Sequence, residues 1–380
     1  MKNIFIIGSR GYHTNYGGWE TFVTNLVDNY NDKNTVFYVS ELADKKSEDL
    51  IMENENLYRM PIFINKQGSM KMFLYAVQAL NDAIDYIKKN NLDNCYIYML
   101  GLKSLNHLSI KRKELNKLNV KVFVNPDGLE WKRSKWGFIA KKFFLLSERM
   151  MLKSSDVIIC DSLGIKDYVD LKYPKLKDKT TYIAYGSNNF DCSKINEQKV
   201  LDEYGLKKDD YCLMVGRCVP ENNYELVVNE FMKSKINKKL IIISNLDSGN
   251  YFNELVLKTN CLKDKRIRFI NGVYDNQKLS VLRKNAYLYI HGHSVGGTNP
   301  SLIESLSLTK LNLLYDVSFN RYAAGDSSLY FSETNSLTKL LDDTESLNKI
   351  REEKGKMAKD IVKNNFTWEI IVNKYKEIFK

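Results

Sequence analysis

Three charged residues follow apolar, β-rich runs of the sequence at the point where each run ends. They are Asp127, Asp161 and Arg217. In open parallel sheets, ligands bind beyond the carboxyl ends of the strands, so side chains at these positions are well placed to touch a ligand. Arg217 is a permanent cation, which favours an anionic ligand.

Two glycine pairs stand in front of apparent helices and provide a second sign of anion binding. Residues 17–18 lead into an amphipathic stretch, and residues 296–297 precede Asn299, Pro300 and Ser301, which have the pattern of a helix cap and first turn. Glu304 falls about one turn further on. Helix N-termini stabilise anions, so two such loops and Arg217 fit a single diphosphate. The other interpretation is that the glycines only let each loop pack closely on its sheet.

The apolar runs alternate with amphipathic stretches, which predicts parallel sheets flanked by helices. The first set of predicted strands is 4–7, 35–39, 57–62, 96–100, 120–124, 157–160 and 181–184. The second set is 211–215, 240–243, 267–270, 287–290, 311–315 and 329–331. A polar, turn-rich segment at residues 185–199 separates them. We therefore predict an α/β protein with two doubly wound domains, at residues 1–185 and 200–365.

Composition limits the class of protein. The 380 residues include 57 Lys and Arg against 46 Asp and Glu, a formal net charge of +11, which indicates an anionic partner or surface. The lysines are scattered and no nucleic-acid motif is visible, so we expect no nucleic-acid partner. The six cysteines show no metal or redox spacing, and neither a signal peptide nor a membrane-spanning run is evident. The sequence therefore predicts a cytoplasmic, reduced protein.

The tract "WKRSKWGFIAKKFFLL", residues 131–146, combines bases and aromatic residues without an acid. Its basic residues are Lys132, Arg133, Lys135, Lys141 and Lys142. An apolar stripe at helical spacing continues through Ile139, Phe143, Leu146 and Met150. Phe138, Phe144 and Leu145 lie outside the stripe. This remainder packs in the core, or it lies in a membrane interface with the lysines on lipid phosphates.

The loops "YGGWETF", "NPDGLEWKRSKW", "GRCVPENN" and "HGHSVGGTNPSLIESL" carry a resemblance to a known family. The sequence resembles family 4 retaining glycosyltransferases of the GT-B fold, and within them the bacterial β-1,4-rhamnosyltransferase branch of cell-surface polysaccharide assembly. That resemblance implies two Rossmann-like domains that face a central cleft, the first on the acceptor side and the second binding the nucleotide sugar. The end of the chain, "FTWEIIVNKYKEIF", resembles the family's last helix, which implies that residues 366–380 pack back on the first domain.

The resemblance also assigns roles to residues. The implied donor-binding residues are Gly17, Gly18, Arg217, Asn222, His293, Asn299, Pro300, Ser301, Leu302 and Glu304. Asp127, Arg217 and Glu304 are the implied catalytic residues, and Asp127, Asp161 and His107 are the implied acceptor or sugar contacts. Two positions depart from the family pattern: Gly296 stands where an acid normally grips the donor sugar, and Asn222 stands where a lysine commonly assists the arginine.

The implied reaction moves L-rhamnose from dTDP-L-rhamnose to a glucose or N-acetylglucosamine linked to a polyprenyl diphosphate, in capsular or cell-wall assembly at the inner face of the cell membrane. Because no D-x-D motif is evident, we expect no metal and no cofactor. Another nucleotide-sugar transferase that uses a UDP-hexose, or a GT-B nucleotide-sugar epimerase, remains open. Single residues have other interpretations. Asp161 is equally suited to cap a helix, and His107 to lie on a helix surface. The "HGH" motif would bind a metal only if a third ligand exists.

Overall fold

The computed structural model describes residues 1–14, 17–47, 49–132, 136–187, 195–246 and 251–380. These residues form two compact units. Unit 1 comprises Met1–Gly186 and Trp368–Lys380, and unit 2 comprises Ser187–Thr367.

Unit 1 is built on an eight-stranded sheet. Its strands are β1 (Lys2–Ile7), β2 (Thr35–Ala43), β3 (Ile51–Asn54), β4 (Leu57–Phe63), β5 (Cys95–Leu100), β6 (Lys121–Asn125), β7 (Val157–Cys160) and β8 (Thr180–Tyr182). The order across the sheet is β3-β4-β2-β1-β5-β6-β7-β8, and every pair is parallel except β3 with β4. The central strands are buried almost throughout, as in sheets that carry helices on both faces.

The unit 1 helices that precede unit 2 in the chain are α1 (Gly18–Asn29), α2 (Ser69–Lys89), α3 (His107–Lys117), α4 (Phe138–Ser154) and α5 (Leu163–Lys172). Short 3-10 helices lie at Glu130–Lys132 and Pro174–Lys179.

Unit 2 has a six-stranded, wholly parallel sheet. Its elements in chain order are α6 (Glu197–Glu203), β9 (Tyr211–Val215), α7 (Tyr224–Lys233), β10 (Lys239–Ser244), α8 (Tyr251–Thr259), β11 (Ile267–Asn271), α9 (Asn276–Lys284), β12 (Leu288–His291), α10 (Pro300–Leu308), β13 (Asn312–Tyr315), α11 (Ser318–Ala324), β14 (Leu329–Phe331), α12 (Ser336–Asp342) and α13 (Thr344–Asn365). Its 3-10 helices are Pro220–Asn222, Cys261–Lys263 and Gly325–Ser327. The strand order is β11-β10-β9-β12-β13-β14.

The predicted strands are confirmed, with ends that differ by at most two residues except at β2, which continues four residues beyond its predicted end. The sequence analysis missed β3, whose four residues are all exposed. Because a strand exposed on both faces has no alternating pattern, only its antiparallel pairing with β4 defines it.

The predicted stripe on α4 faces solvent at two of its four positions. Ile139 is 84% and Leu146 is 51% exposed. Outside the stripe, Phe138 is 71% exposed, so the core interpretation is wrong for Phe138. The buried side of α4 is instead partly polar: the Glu148 carboxylate, which is 3% exposed, accepts hydrogen bonds from the Tyr168 and Tyr173 hydroxyls and from Lys172 Nζ, each at 2.8 Å. This buried acid fixes which side of the helix turns inward.

Helix α14 (Trp368–Ile378) belongs to unit 1 although unit 2 precedes it in the chain. It packs on α1 through buried residues, and the Tyr375 hydroxyl lies 2.8 Å from that of Tyr98 on β5. At its start, Trp368 covers Gly186 so closely that a Cβ atom built on Gly186 would lie 2.4 Å from the indole ring. Position 186 therefore requires glycine.

No helix in the described ranges has the length and hydropathy needed to cross a membrane.

Gly186→Ala should destabilise the protein by about 1–3 kcal/mol, because the added methyl group must displace the buried Trp368 ring. Urea unfolding followed by tryptophan fluorescence measures this loss. The matched control is Gly137→Ala, since a Cβ atom at Gly137 meets nothing within 4 Å. Equal stability of the two variants would contradict the proposed contact.

Candidate functional site

The glycine loop of unit 1 and the arginine and histidine loops of unit 2 follow strands at the topological switch point of each sheet, whereas Asp127 and Asp161 follow β6 and β7 further along the unit 1 sheet. In unit 1, β1 lies between β2 and β5, and in unit 2, β9 lies between β10 and β12. In each sheet, later strands are therefore added first on one side of the first strand and then on its other side. The carboxyl ends of the strands at such a point leave a crevice in which doubly wound proteins bind ligands. In unit 2 the two flanking strands end at Val215 and His291, directly before the loops that the sequence analysis singled out.

In unit 1, the loop after β1 is fixed against its neighbours at both ends. A Cβ atom on Gly8 would lie 2.3 Å from the Leu100 carbonyl oxygen at the end of β5, so only glycine fits there. The buried Glu20 of α1 accepts a hydrogen bond from the Arg10 amide at 2.8 Å. The loop is thereby held to the first turn of the helix.

The N-terminus of α1 is open to a ligand. Its N-cap, Gly17, provides no side-chain cap, and both Gly17 and Gly18 are exposed. A Cβ atom on Gly18 would meet nothing within 4 Å, so the fold of this unit does not itself require glycine there. The packing interpretation of the glycine pair therefore has no support at Gly18. Tyr16, which precedes the pair, lies outside the described residues.

Asp127 and Asp161 form an interacting acid pair at the ends of β6 and β7. Asp127 adopts a left-handed backbone with φ of 61°, and its amide donates to Asn125 Oδ1 at 2.9 Å. Asp161 is 2% exposed. Burial, and secondly the negative charge of Asp127, raise the pKa of Asp161 to about 8, although a hydrogen bond with Tyr185 opposes this. Asp161 is therefore mainly protonated at neutral pH.

Two other interpretations of unit 1 residues are settled by their contacts. Helix α5 is capped by Ser162, whose Oγ accepts from the Ile165 amide at 3.2 Å, so the prediction that Asp161 caps this helix is wrong. His107, the first residue of α3, places its Nε2 2.9 Å from Asn81 Oδ1 on α2, and burial lowers its pKa. A contact between His107 and a sugar stays a prediction.

In unit 2, the loops after β9 and β12 are in direct backbone contact. A Cβ atom on Gly292 would lie 2.2 Å from the Asn222 carbonyl oxygen. Asn223 Nδ2 donates to the Gly292 carbonyl at 2.7 Å, and the Ser294 amide and hydroxyl donate to the Glu221 carbonyl at 2.9 and 2.8 Å. The "GRCVPENN" and "HGHS" segments are thus one rigid assembly.

Arg217 is an exposed cation on this assembly. It forms no ion pair within the described parts of the chain. Its carbonyl accepts from Nδ2 of the buried Asn222 at 2.8 Å, so Asn222 braces the arginine loop from within. The structure therefore shows a contact between Asn222 and the protein, and its contact with a donor stays a prediction.

Helix α10 begins as predicted, with Asn299 as the N-cap and Pro300 as the first residue. The cap uses the amides of two residues that the resemblance assigned to donor binding: Ser301 N donates to Asn299 Oδ1 at 2.9 Å, and Leu302 N donates to the Asn299 carbonyl at 3.0 Å. Gly296, in the preceding loop, has φ of 142°, which L-residues rarely adopt, so this backbone disfavours an acid at the position.

His291 and His293 stack with ring centroids 4.2 Å apart and planes 7° apart. His291 is 1% exposed, and neither of its ring nitrogens has a hydrogen-bond partner among the described residues. Burial, followed by the charges of His293 and Arg283, holds the pKa of His291 well below its usual value. The stack is therefore neutral at His291. Within the described ranges no group of three or more His, Cys, Asp and Glu side chains could hold a metal ion.

Arg283 is a site residue that the sequence analysis missed. This α9 residue is 2% exposed, its Nη1 lies 2.6 Å from Glu304 Oε2, and its Nη2 donates to Ser301 Oγ at 3.1 Å. Its carbonyl also accepts from Thr309 Oγ1 at 3.0 Å, so the residue holds both ends of α10. The sequence signal is weak, since an arginine in "VLRKNA" looks like a residue on a helix surface.

Solved structures share this fold over the whole chain. The alignment with a glycosyltransferase from Rickettsia africae covers 100% of this chain and 98% of that one, with a TM-score of 0.74 and 16% identity. Sucrose-phosphate synthase from Thermosynechococcus elongatus matches with a TM-score of 0.75 at 15% identity over 100% and 98% of the two chains. Anabaena HepE in complex with UDP-glucose matches with a TM-score of 0.70 at 12% identity over 100% and 99%. The chain therefore has the GT-B type of α/β fold, as predicted.

Sequence comparison adds a family match and a relative. Residues 1–188 match the family described as "Domain of unknown function (DUF1972)". An uncharacterized glycosyltransferase of Methanocaldococcus jannaschii, MJ1069, is 22% identical over 254 residues, which cover 61% of this chain. The match spans 60% of the length of that relative.

Asp161→Asn should raise the melting temperature relative to the wild type by an amount that grows between about pH 4 and pH 8. Over this range the wild-type carboxyl stays protonated in the folded protein and ionises in the unfolded chain, so rising pH favours unfolding. Asparagine carries no such penalty. Thermal unfolding at pH 4, 6 and 8 measures this difference in melting temperature. When both proteins also carry Asp127→Asn, the difference should be smaller, because loss of the Asp127 charge lowers the pKa of Asp161. A difference that is constant with pH would exclude the raised pKa.

Glu304→Gln should cost about 3–5 kcal/mol of unfolding free energy, because it leaves the Arg283 guanidinium buried without a counter-charge. Arg283→Met should cost less, since the Glu304 side chain is 22% exposed and can be hydrated. Urea unfolding of both single variants and the double variant gives the coupling. Strictly additive losses would show that the two side chains do not interact.

Proposed function

We propose that this protein is a retaining glycosyltransferase that uses a nucleotide-sugar donor. The observation that carries the proposal is the unit 2 switch point, where Ser301 Oγ of α10 approaches the Val215 carbonyl to 3.4 Å and Arg217 follows two residues later. Arg217, which forms no ion pair among the described residues, therefore follows the end of β9, and that end contacts the first turn of α10. This pairing of a cation with a helix N-terminus suits a diphosphate.

In the proposed reaction the acceptor hydroxyl oxygen attacks the anomeric carbon while the bond from that carbon to the donor phosphate breaks. Negative charge grows on the departing diphosphate, and Arg217 together with the α10 dipole stabilises it. The acceptor proton passes to the departing phosphate oxygen, on the face from which it leaves, which retains the configuration. Gly17 and Gly18 leave room for a donor phosphate.

In this scheme Asp127 orients the acceptor, and Asp161 limits the negative charge beside it. An ionised Asp127 accepts a hydrogen bond from the acceptor hydroxyl and orients its lone pair. A protonated Asp161 beside it keeps the pair at a single negative charge, so that two carboxylates do not repel one another in a buried place. His107 remains a proposed contact further along the acceptor.

We propose dTDP-L-rhamnose as the donor and a polyprenyl-diphosphate-linked glucose or N-acetylglucosamine as the acceptor, in capsular or cell-wall assembly. Gly296 supports a 6-deoxysugar, because the acid that grips donor hydroxyls in related enzymes is missing and His293 stands nearby in the sequence. Glu304 would accept the deoxyribose 3′-hydroxyl. HepE in complex with UDP-glucose favours a second candidate, a transferase that uses a UDP-hexose. A nucleotide-sugar epimerase is the third.

Incubation with dTDP-L-rhamnose, UDP-glucose and UDP-N-acetylglucosamine, each with a short lipid-diphosphate-linked N-acetylglucosamine, tests these candidates. We expect a disaccharide from dTDP-L-rhamnose, with the β configuration by proton NMR. Preference for a UDP-hexose would reject rhamnose, an α-linked product would reject retention, and an altered nucleotide sugar without transfer would identify an epimerase.

Arg217→Ala serves as the site control in this assay and should lower kcat by roughly two to four powers of ten, with folding stability unchanged. Arg268→Ala, on β11 of the same unit, should leave turnover unchanged.

We also propose that unit 1 docks on an anionic membrane surface through the α4 patch, defined as Phe138, Ile139, Lys142 and Leu146. Phe138 is 71% exposed, and the Lys142 ammonium lies 4.4 Å from its ring centroid, so bases and apolar groups alternate on one surface. A second helix adjoins the patch, because Phe73 of α2 contacts Phe143 with ring centroids 5.9 Å apart. Such a surface suits a lipid-linked acceptor at the inner face of the cell membrane. Arg133 and Lys135 of the basic tract lie outside the described residues.

Replacing Phe138, Ile139 and Leu146 together with serine should lower binding to phosphatidylglycerol vesicles at least tenfold, because three exposed apolar side chains no longer enter the interface. Co-sedimentation measures the partition. The matched control replaces Ile110, Leu171 and Leu262, which are 65%, 84% and 55% exposed elsewhere on the protein. Equal binding of both triple variants would reject the α4 patch.

A further inference from the structure

The buried guanidinium of Arg283 is linked by hydrogen bonds to the end of β9. Its Nη2 donates to Ser301 Oγ at 3.1 Å, and Ser301 Oγ lies 3.0 Å from the hydroxyl oxygen of Tyr289 on β12. The Tyr289 hydroxyl donates to the carbonyl of Val215, the last residue of β9, at 3.1 Å. Because Arg283 and Tyr289 are both buried, water competes little for these bonds. The three side chains therefore form a fixed network beside the loop that carries Arg217.

The other arm of the same guanidinium holds Glu304. Arg283 Nη1 lies 2.6 Å from Glu304 Oε2, and no group in the described parts of the chain bonds to Oε1. The arginine side chain is buried, whereas that of Glu304 is partly exposed, and Oε1 is not among the buried atoms that lack a partner. One oxygen of the carboxylate is thus held by the protein, and the other reaches solvent.

The ion pair affects the position and the charge of Glu304 more than it affects stability. Buried ion pairs contribute little net free energy, because desolvation of the two charges offsets their attraction. Ser301 and Glu304 are three residues apart on α10 and share one face of the helix, and Arg283 contacts both. The cation also compensates an acid near the N-terminus of α10, where the donor diphosphate is proposed to bind. Without that compensation the acid would repel the diphosphate.

We propose that Arg283 is a positioning residue for nucleotide recognition, which holds Glu304 so that one carboxylate oxygen accepts the 3′-hydroxyl of the donor nucleoside. The inference rests on the proposed donor site in unit 2. An unpaired glutamate samples several rotamers, whereas the ion pair with a buried arginine restricts Glu304 to one. The nucleoside hydroxyl then meets an acceptor that is already oriented, which lowers the entropy lost on binding.

The single open oxygen also determines which nucleoside sugar the site matches. A carboxylate with two open oxygens can accept both hydroxyls of a ribose, one on each oxygen. In this protein Oε2 is held by Arg283, so Oε1 is matched to the one ring hydroxyl of a 2′-deoxyribose. We therefore expect affinity to depend strongly on the 3′-hydroxyl and little on the 2′-hydroxyl.

Isothermal titration with two matched pairs of nucleotides tests this inference. The first pair, dTDP and 3′-deoxythymidine diphosphate, differs only in the 3′-hydroxyl, and the second, UDP and 2′-deoxyuridine diphosphate, differs only in the 2′-hydroxyl. The wild type should bind dTDP about tenfold or more tightly than its 3′-deoxy analogue, as expected for a hydrogen bond to a charged group, and the second pair with similar affinities. Arg283→Met should bring the first ratio close to one by weakening dTDP alone, and Arg283→Lys, which keeps the charge, should give an intermediate ratio.

The matched control is Arg351→Met, because Arg351 of α13 is another largely buried arginine of unit 2 that pairs with an acid, Asp209. This variant should lose stability without changing either ratio, and thermal unfolding checks that all variants are folded. Arg217→Ala should weaken both nucleotides of each pair alike, since Arg217 is proposed to bind the diphosphate.

The inference is overturned if the wild type does not distinguish dTDP from its 3′-deoxy analogue, if Arg283→Met keeps the wild-type ratio, or if Arg351→Met lowers it equally. A strong preference for UDP over 2′-deoxyuridine diphosphate would also overturn it. In each of these cases the proposed function stands as long as Arg217→Ala weakens nucleotide binding. If the wild type binds neither dTDP nor UDP, the proposed donor site fails and the inference fails with it.

Discussion

Both candidate ligand regions depend on a backbone contact that only glycine permits. At the switch point of unit 1, Gly8 meets the Leu100 carbonyl oxygen, and at that of unit 2, Gly292 meets the Asn222 carbonyl oxygen, with no space for a Cβ atom at either place. The first contact joins the ends of the neighbouring strands β1 and β5, and the second joins the loops that follow β9 and β12. In unit 2 the contact also joins the arginine loop to the histidine loop, so one substitution at Gly292 would displace both.

The two units handle buried charge in opposite ways. Unit 2 buries a cation, Arg283, and pairs it with the Glu304 carboxylate at the edge of the site. Unit 1 buries an acid, Asp161, near a second acid and keeps it protonated, since burial and the Asp127 charge both raise its pKa. The first arrangement provides a fixed hydrogen-bond acceptor, and the second provides a donor beside an acceptor.

The predictable features were those that local sequence determines. Continuous apolar runs predicted the sheet strands because buried parallel strands need them, and Asn299–Pro300 predicted the start of α10 because cap chemistry is local. Arg283 was missed because its burial depends on Glu304, a residue 21 positions away that a helix pattern does not reveal. The side of α4 that faces inward was also unpredictable, because Glu148 is buried only through the hydroxyls and ammonium of α5 and its C-terminal neighbour Tyr173.

The path of the chain through unit 1 has a consequence for synthesis on the ribosome. Unit 2 is continuous in sequence, whereas unit 1 needs Trp368, Ile371 and Tyr375 of α14 to complete its core. Domains usually fold in the order in which they are made. In this protein, however, unit 1 cannot complete its core until unit 2 has been synthesised, and part of its apolar surface stays uncovered until then. Unit 2 can therefore reach its native state first, and the nascent N-terminal half is the part that most needs protection from aggregation.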